Sequence, residues 1–234
     1  LYPHAARNVG ITHAQGSFIV WTDPDCIASP TWLETLVACH LNGADVVGGS
    51  HGLASTGLLP TAIHLIKFYW ILPNLPSGTR DILPTANVGY ARHVLEKTGE
   101  LKGSVFCGDA VLAWEAGKLG FALQFSPSAI IQHHHDDTLK AMIASRYARG
   151  HEFIIERIKF FDWSLPYMMV YLALFWLQPI LVLLRAGKDT WRAGWFRDYL
   201  MTLPLQFLGH LAWTIGEAHG IIHYLLSNSY RKSS

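Results

Sequence analysis

The chain has 234 residues, of which 50% are hydrophobic and only 15% charged; this is more apolar than an ordinary soluble domain, and the length suits one domain plus an appendage. A formal charge of +1 excludes a general nucleic-acid binder, which carries a strong basic excess. The three cysteines, Cys26, Cys39 and Cys107, form neither a zinc spacing nor a disulfide framework, so a reducing compartment is the simpler expectation.

Residues 1 to about 155 alternate strand-like with helix-like runs. Ala5-Ala-Arg-Asn-Val-Gly-Ile11 is followed by Phe18-Ile-Val-Trp-Thr-Asp-Pro-Asp-Cys26. The apolar start of the second run is rich in β-formers and predicts a buried strand. Its end carries Asp23 and Asp25, one residue apart. On extended backbone the two carboxylates share a side, and such a pair can hold a divalent cation against a diphosphate. The plainer alternative is a turn, because Asp and Pro are common loop residues. Pro30-Thr-Trp-Leu-Glu-Thr-Leu36 predicts the start of an amphipathic helix, and Asp45-Val-Val-Gly-Gly49 the next strand.

Pro60 to Pro73 is aromatic and nearly uncharged, which fits core packing or a surface lying on a membrane. Thr85-Ala-Asn-Val-Gly-Tyr-Ala-Arg92 predicts a strand containing Asn87, a residue that by chemistry alone often satisfies turn backbone. In Phe106-Cys-Gly-Asp-Ala-Val-Leu-Ala-Trp-Glu115, Asp109 precedes an apolar periodic run and is a candidate helix N-cap. Ser126-Pro-Ser-Ala-Ile-Ile-Gln-His-His-His135 predicts the last strand of the domain. Period two lets His133 and His135 share a face, where either can ligate a metal or simply hydrogen-bond. A helix then starts with Asp137 or Thr138 as cap and carries Arg146, Tyr147 and Arg149, a basic group that also fits a solvated or lipid-facing surface.

The last third is different. Trp163 to Leu184 holds no charged side chain over 22 residues, enough for a helix to cross the roughly 30 Å bilayer core. Tyr199 to Gly216 is a second such run of 18, which fits a span, a re-entrant hairpin or an interfacial helix. Both flanks of the first run, Arg146 to Lys159 and Arg185 to Arg197, are basic. The positive-inside rule keeps both cytoplasmic, which a hairpin broken at Pro179 or docking on anionic lipid would satisfy.

The order of these motifs resembles the family 2 glycosyltransferases, with their "ARNxGI…G…I…DxD…P.WLE" run, "aaN.ayRR" strand, "F.GED.DL..R…GY" segment and "dP.a.v.H" strand. The resemblance implies a nucleotide-diphospho-sugar transferase of the GT-A type: an α/β domain with a mostly parallel sheet over residues 1–158 and a membrane-associated helical region over 159–234. Because the chain opens on Leu1-Tyr-Pro-His without an initiator Met, an N-terminally incomplete domain, inactive by itself, is expected.

The implied reaction is inverting, metal-dependent sugar transfer from a nucleotide-sugar donor to a hydroxyl of a lipid-linked or polysaccharide acceptor at the cytoplasmic side of a membrane. By resemblance Asp23, Asp25 and His133 hold Mg²⁺ or Mn²⁺, and Arg7, Asp23, Arg146 and Arg149 lie on the donor diphosphate side. Asn87 and Gly108 lie near the acceptor, and Asp109 falls on the catalytic base. The segment departs from the family: Gly108 replaces the usual acidic neighbour, Val111 the second Asp and Glu115 the usual Arg. Loss of a neighbouring carboxylate removes like-charge repulsion and is expected to lower the pKa of Asp109 relative to such enzymes. Two rival readings are a non-catalytic membrane-bound sugar- or lipid-binding subunit and a nucleotidyltransferase of similar sheet.

Overall fold

The computed structural model describes residues 3–102 and 106–232, with side chains through residue 227. Helix α1 (Pro3–His13) leads into β1 (Phe18–Thr22), β2 (Cys26–Ala28), α2 (Trp32–Leu41), β3 (Val46–Leu53) and α3 (Leu58–Phe68). Then come β4 (Gly78–Thr79), β5 (Asn87–Ala91), α4 (Arg92–Thr98), α5 (Gly108–Lys118) and β6 (Leu123–His133). Four helices close the chain: α6 (Leu139–Phe161), α7 (Leu165–Leu174), α8 (Gln178–Ala193) and α9 (Phe196–Lys232).

The sheet order is β1-β5-β3-β6-β2, with β4 on the flank of β6. Alternate residues of β1 point to opposite faces, so Ile19 and Trp21 enter one core with Val46, Val88, Tyr90, Val94 and Leu112. Val20 packs on the other face with Leu36, Val47 and Ala129. Helices α4 and α5 therefore cover one face and α2 the other, which makes a layered α/β domain.

The expected mostly parallel sheet is not found. Among the described residues four strand pairs, β1–β5, β2–β6, β3–β5 and β4–β6, are antiparallel, and β3–β6 is parallel. The long strands β1, β3 and β6 do run the same way, as alternating strands and helices predict. Strand β5 enters in the opposite sense between β1 and β3, and periodicity carries no signal for such an insertion.

The β3–β6 ladder breaks once. Gly49 pairs with Ser126 but Ser50 pairs with Ile130, so residues 127–129 bulge out. Pro127 has no N–H to give to a ladder. The bulge is stitched from the β3 side: Ser50 Oγ donates to the Pro127 carbonyl at 2.7 Å. Glycine is required beside it, because a Cβ on Gly49 would lie 2.0 Å from the Ala129 oxygen.

The two composition zones share a core. Helix α6 runs through residue 158 to Phe161, and α9 folds back along it and onto α3 and α8. The helices approach closely at glycines: a Cβ on Gly216 would lie 2.2 Å from the Tyr147 oxygen, and one on Gly150 2.3 Å from the Trp213 oxygen. The 199–216 run thus sits in a helix with a protein-facing stripe of Thr202, Gln206, His210 and Thr214, all buried. The 60–73 stretch is core as well, with Ile63, His64, Leu65 and Ile66 buried on α3. The first apolar run forms a helical rod over Leu165–Ala193, 29 residues long, and 11% of its most apolar window is buried. At 1.5 Å per residue it measures about 44 Å, long enough to cross a bilayer.

Candidate active site

Residues 23–26 form a turn, not extended backbone. The Cys26 amide donates to the Asp23 carbonyl at 3.1 Å, as Pro24 in the second position favours. The two carboxylates have different partners. Asp23 is held by the Arg7 guanidinium of α1. Asp25 turns to the edge of the sheet, where its Oδ2 lies 3.7 Å from His133 Nε2.

Strand pairing explains that second contact. Cys26 and His133 are direct partners in the antiparallel β2–β6 ladder, and such partners carry their side chains on one face about 5 Å apart. Asp25 precedes Cys26, and the His134 amide donates to the Asp25 carbonyl at 2.9 Å. Asp25, Cys26 and His133 each bring one ligand atom, all within 4.8 Å of one another.

The donor set fits a divalent cation. His133 Nδ1 lies 2.6 Å from the His134 carbonyl oxygen, so that nitrogen carries the proton and donates it. Nε2 is left with its lone pair aimed at a carboxylate, the arrangement of a metal-ligating histidine oriented by an outer carbonyl. Burial lowers the His133 pKa below its ordinary value, against the pull of Asp25. A neutral imidazole facing a carboxylate at 3.7 Å is an acceptor facing an acceptor, which a cation between them would satisfy. Burial, reinforced by Asp25, pushes the Cys26 thiol up to about 12.

Asp109 occupies the first turn of α5, whose N-cap is Cys107. It is not the cap: its Oδ1 accepts from the adjacent Ala110 amide at 2.9 Å. Burial raises its pKa above the ordinary carboxylate value, while His4, the Ala110 amide, Arg149 and Arg7 pull the other way. Desolvation outweighs these four groups and sets the direction. Gly108 is buried, and a Cβ there would meet the Lys102 oxygen at 2.6 Å and the His4 ring at 2.8 Å. Protein atoms fill the space that an acidic side chain at this position would need.

Helix α1 joins the two halves of the site. His4 Nε2 donates to the Phe106 carbonyl at 3.2 Å, which leaves Nδ1 to accept from Arg7 at 3.3 Å. The same Arg7 grips Asp23. His4 had gone unread in the sequence, although its spacing to Arg7 puts both on one helix face. Lys67 of α3 had also gone unread. It pairs with Asp137 at 3.9 Å, and burial lowers its pKa while the fields of Asp137 and Asp25 oppose that.

The other sequence-derived residues divide. Arg149 is exposed, its guanidinium 5.2 Å from the Phe106 ring centre on the side of Asp109. Arg146 lies between α6 and α9, stacked 4.1 Å over the Trp213 ring. Asn87 is fully buried and fully used by protein: Nδ2 donates to the Ser50 and Ala129 carbonyls at 2.9 Å each, and Oδ1 accepts from Trp32 Nε1 at 2.7 Å. Asn87 thus closes the backbone of the β6 bulge. Thr138, not Asp137, caps α6, its hydroxyl accepting from the Ala141 amide at 3.2 Å.

Comparison with known proteins finds glycosyltransferases similar to part of this chain. Residues 2–98 match glycosyl transferase family 2. A pre-mycofactocin glycosyltransferase of Mycobacterium tuberculosis is 26% identical over 158 residues, 63% of this chain and 33% of that protein. The glycosyltransferase AglE of Haloferax volcanii is 26% identical over 132 residues, 56% of this chain and 43% of that protein. The chain thus spans a third to under half the length of these curated relatives.

Proposed function

We propose, from the match of residues 2–98 to glycosyl transferase family 2, that the chain is a member of that family and transfers a sugar from a nucleotide-diphospho sugar to a hydroxyl of a lipid-linked or polysaccharide acceptor, with inversion, at the cytoplasmic face of a membrane. The observation that carries the reading is the placement of α1, whose His4 and Arg7 link the Asp23–Asp25 turn to the Asp109 helix.

Asp25 and His133 would hold a divalent cation, expected from the sequence to be Mg²⁺ or Mn²⁺. A bound cation supplies counter-charge to the departing diphosphate. Arg7 fixes Asp23 and leaves Asp25 directed at His133. Asp109, raised by burial, accepts the proton of the acceptor hydroxyl as it attacks the anomeric carbon, and a base with pKa nearer neutrality does this better than an exposed carboxylate. Arg149 faces the same region and adds positive charge there. The apolar rod Leu165–Ala193 supports membrane attachment and hence a lipid-borne or membrane-bound acceptor, because tethering raises the effective concentration of such an acceptor.

The test is transfer by membranes containing the intact enzyme, supplied in turn with labelled UDP-, GDP- and dTDP-sugars. Label should pass into a glycan or a solvent-extractable lipid, stop on chelation and fail with Asp25→Ala. Transfer that continues at full rate in excess chelator would overturn the metal-dependent reading.

A further inference from the structure

We propose that Cys26 is a protein ligand of the cation site, so that the site prefers borderline, thiol-accepting divalent ions to Mg²⁺. The inference rests on the cation reading of Asp25 and His133 and extends it by one atom type.

Geometry carries it. Cys26 sits opposite His133 in the β2–β6 ladder, so its side chain emerges on the same face, beside the imidazole. Its Sγ is 3.7 Å from Asp25 Oδ1, and His133 Nε2 is 3.7 Å from Asp25 Oδ2. A sulfur, a nitrogen and a carboxylate oxygen thus surround one point, all within 4.8 Å. Ligands at 2.0–2.3 Å from a tetrahedral ion lie roughly 3.3–3.7 Å apart, so small side-chain rotations would close the site. The carboxylate is half-exposed, with a side-chain exposure of 50%, while the imidazole is at 8%. One side of the site is therefore open to solvent and to a further ligand, as in sites that act on substrates.

Chemistry then selects the ion. Mg²⁺ takes oxygen ligands in a nearly ideal octahedron and keeps its waters. A thiolate and an imidazole suit Zn²⁺ and Co²⁺, and the stability order for such ligands places Mn²⁺ below both. Binding converts the thiol to a metal-bound thiolate and releases one proton to solvent for each ion bound.

The experiment is Co²⁺ titration of the full chain in detergent, read by absorption. Thiolate ligation gives a sulfur-to-cobalt charge-transfer band in the near ultraviolet. The band should appear at one equivalent, survive Cys39→Ser and Cys107→Ser, and vanish in Cys26→Ser. Even outer-shell partners change metal affinity about 10- to 100-fold, so loss of this inner ligand should weaken Zn²⁺ by about a hundredfold and Mg²⁺ by less than about threefold. X-ray absorption of the unsubstituted Zn²⁺ form should show a sulfur shell near 2.3 Å, a measurement that needs no variant to fold. Co²⁺ binding with no charge-transfer band and no sulfur shell would overturn the role of Cys26 while leaving a cation on Asp25 and His133. Absence of any Co²⁺, Zn²⁺ or Mn²⁺ binding would overturn both readings.

Discussion

Arg7 on the first helix holds Asp23 at the end of the first strand, with side-chain exposures of 13% and 29%. The pair is therefore largely withdrawn from solvent, where loss of one partner leaves an uncompensated charge. Arg7→Ala should free Asp23, loosen the turn that aims Asp25, and weaken binding of a nucleoside diphosphate with its cation by about tenfold or more, by the usual worth of a buried charge pair. Calorimetric titration with UDP and GDP is the check. Arg7→Lys should recover only part of the loss, since an ammonium lacks the planar fork. Equal binding by all three proteins would reduce the pair to a surface contact.

Asp109→Asn keeps the shape of the side chain and its place in the first turn of α5 but cannot accept a proton. Transfer by the intact enzyme should fall by about a hundredfold or more, with donor binding and thermal stability retained. The pH profile supplies a sharper criterion. The base must be ionised, so activity is lost as pH falls through its pKa; burial raises that pKa. The acid limb of kcat/KM should therefore lie above the value of about 3.9 for an exposed Asp, and it should be absent from the residual activity of the variant. A limb that persists unchanged would assign it to another group.

The strands at 18–22, 46–53 and 87–91 and the helix opening at Trp32 were legible because each announces itself within a few residues, by β-rich apolar runs or a Pro-x-Trp start. The insertion of β5 between β1 and β3 was not, because pairing order is a tertiary property. The same limit hid the site. Cys26 and His133 stand 107 positions apart and meet only through ladder register. The backbone at Asp23–Asp25 was read as extended because alternation carries no signal for the Cys26–Asp23 turn bond. Asn87 and Gly108 were singled out by motif, which carries no signal for the burial that the structure shows at both.

Asn87→Ala should lower stability by about 2 kcal/mol or more. The change leaves the Ser50 and Ala129 carbonyls and the Trp32 indole N–H without the Asn87 partner, and each buried orphan costs about 1–3 kcal/mol. Chemical denaturation of the two proteins in the same detergent measures it. A variant as stable as the parent but altered only in acceptor KM would return Asn87 to the acceptor site.

Glu156 of α6 is buried between Lys102 and Lys159. Burial alone would raise its pKa, but hydrogen bonds from the two lysines more than offset that and leave it lowered. For a carboxyl depressed in the folded state, the added stability is present above the unfolded pKa of about 4.3 and is lost as pH falls through the folded value. The stability gap between parent and Glu156→Gln should thus be full at pH 7 and close as the pH is lowered below about 4. Melting curves at pH 7, 5 and 3.5 test this; a gap that widens in acid would contradict the sign.

The rod Leu165–Ala193 predicts how the chain behaves toward membranes. Its Leu165, Val170, Leu174, Trp176, Ile180, Leu181 and Leu184 are exposed, although apolar area left in water costs roughly 25 cal/mol per Å² relative to burial. A patch of this size on a protein in water would drive association, whereas hydrocarbon lipid removes the penalty. The chain should therefore fractionate with membranes and resist alkaline carbonate extraction. Replacing Leu174, Leu181 and Leu184 by Lys adds three charges to the apolar rod, each costing up to about 3 kcal/mol near the bilayer centre. The triple variant should move to the soluble fraction or be degraded, while Leu33→Lys, at an exposed position on α2, should not. Recovery of the unsubstituted chain in the soluble fraction without detergent would instead mean that a second protein surface covers the rod, and the lipid-borne acceptor would lose its main support.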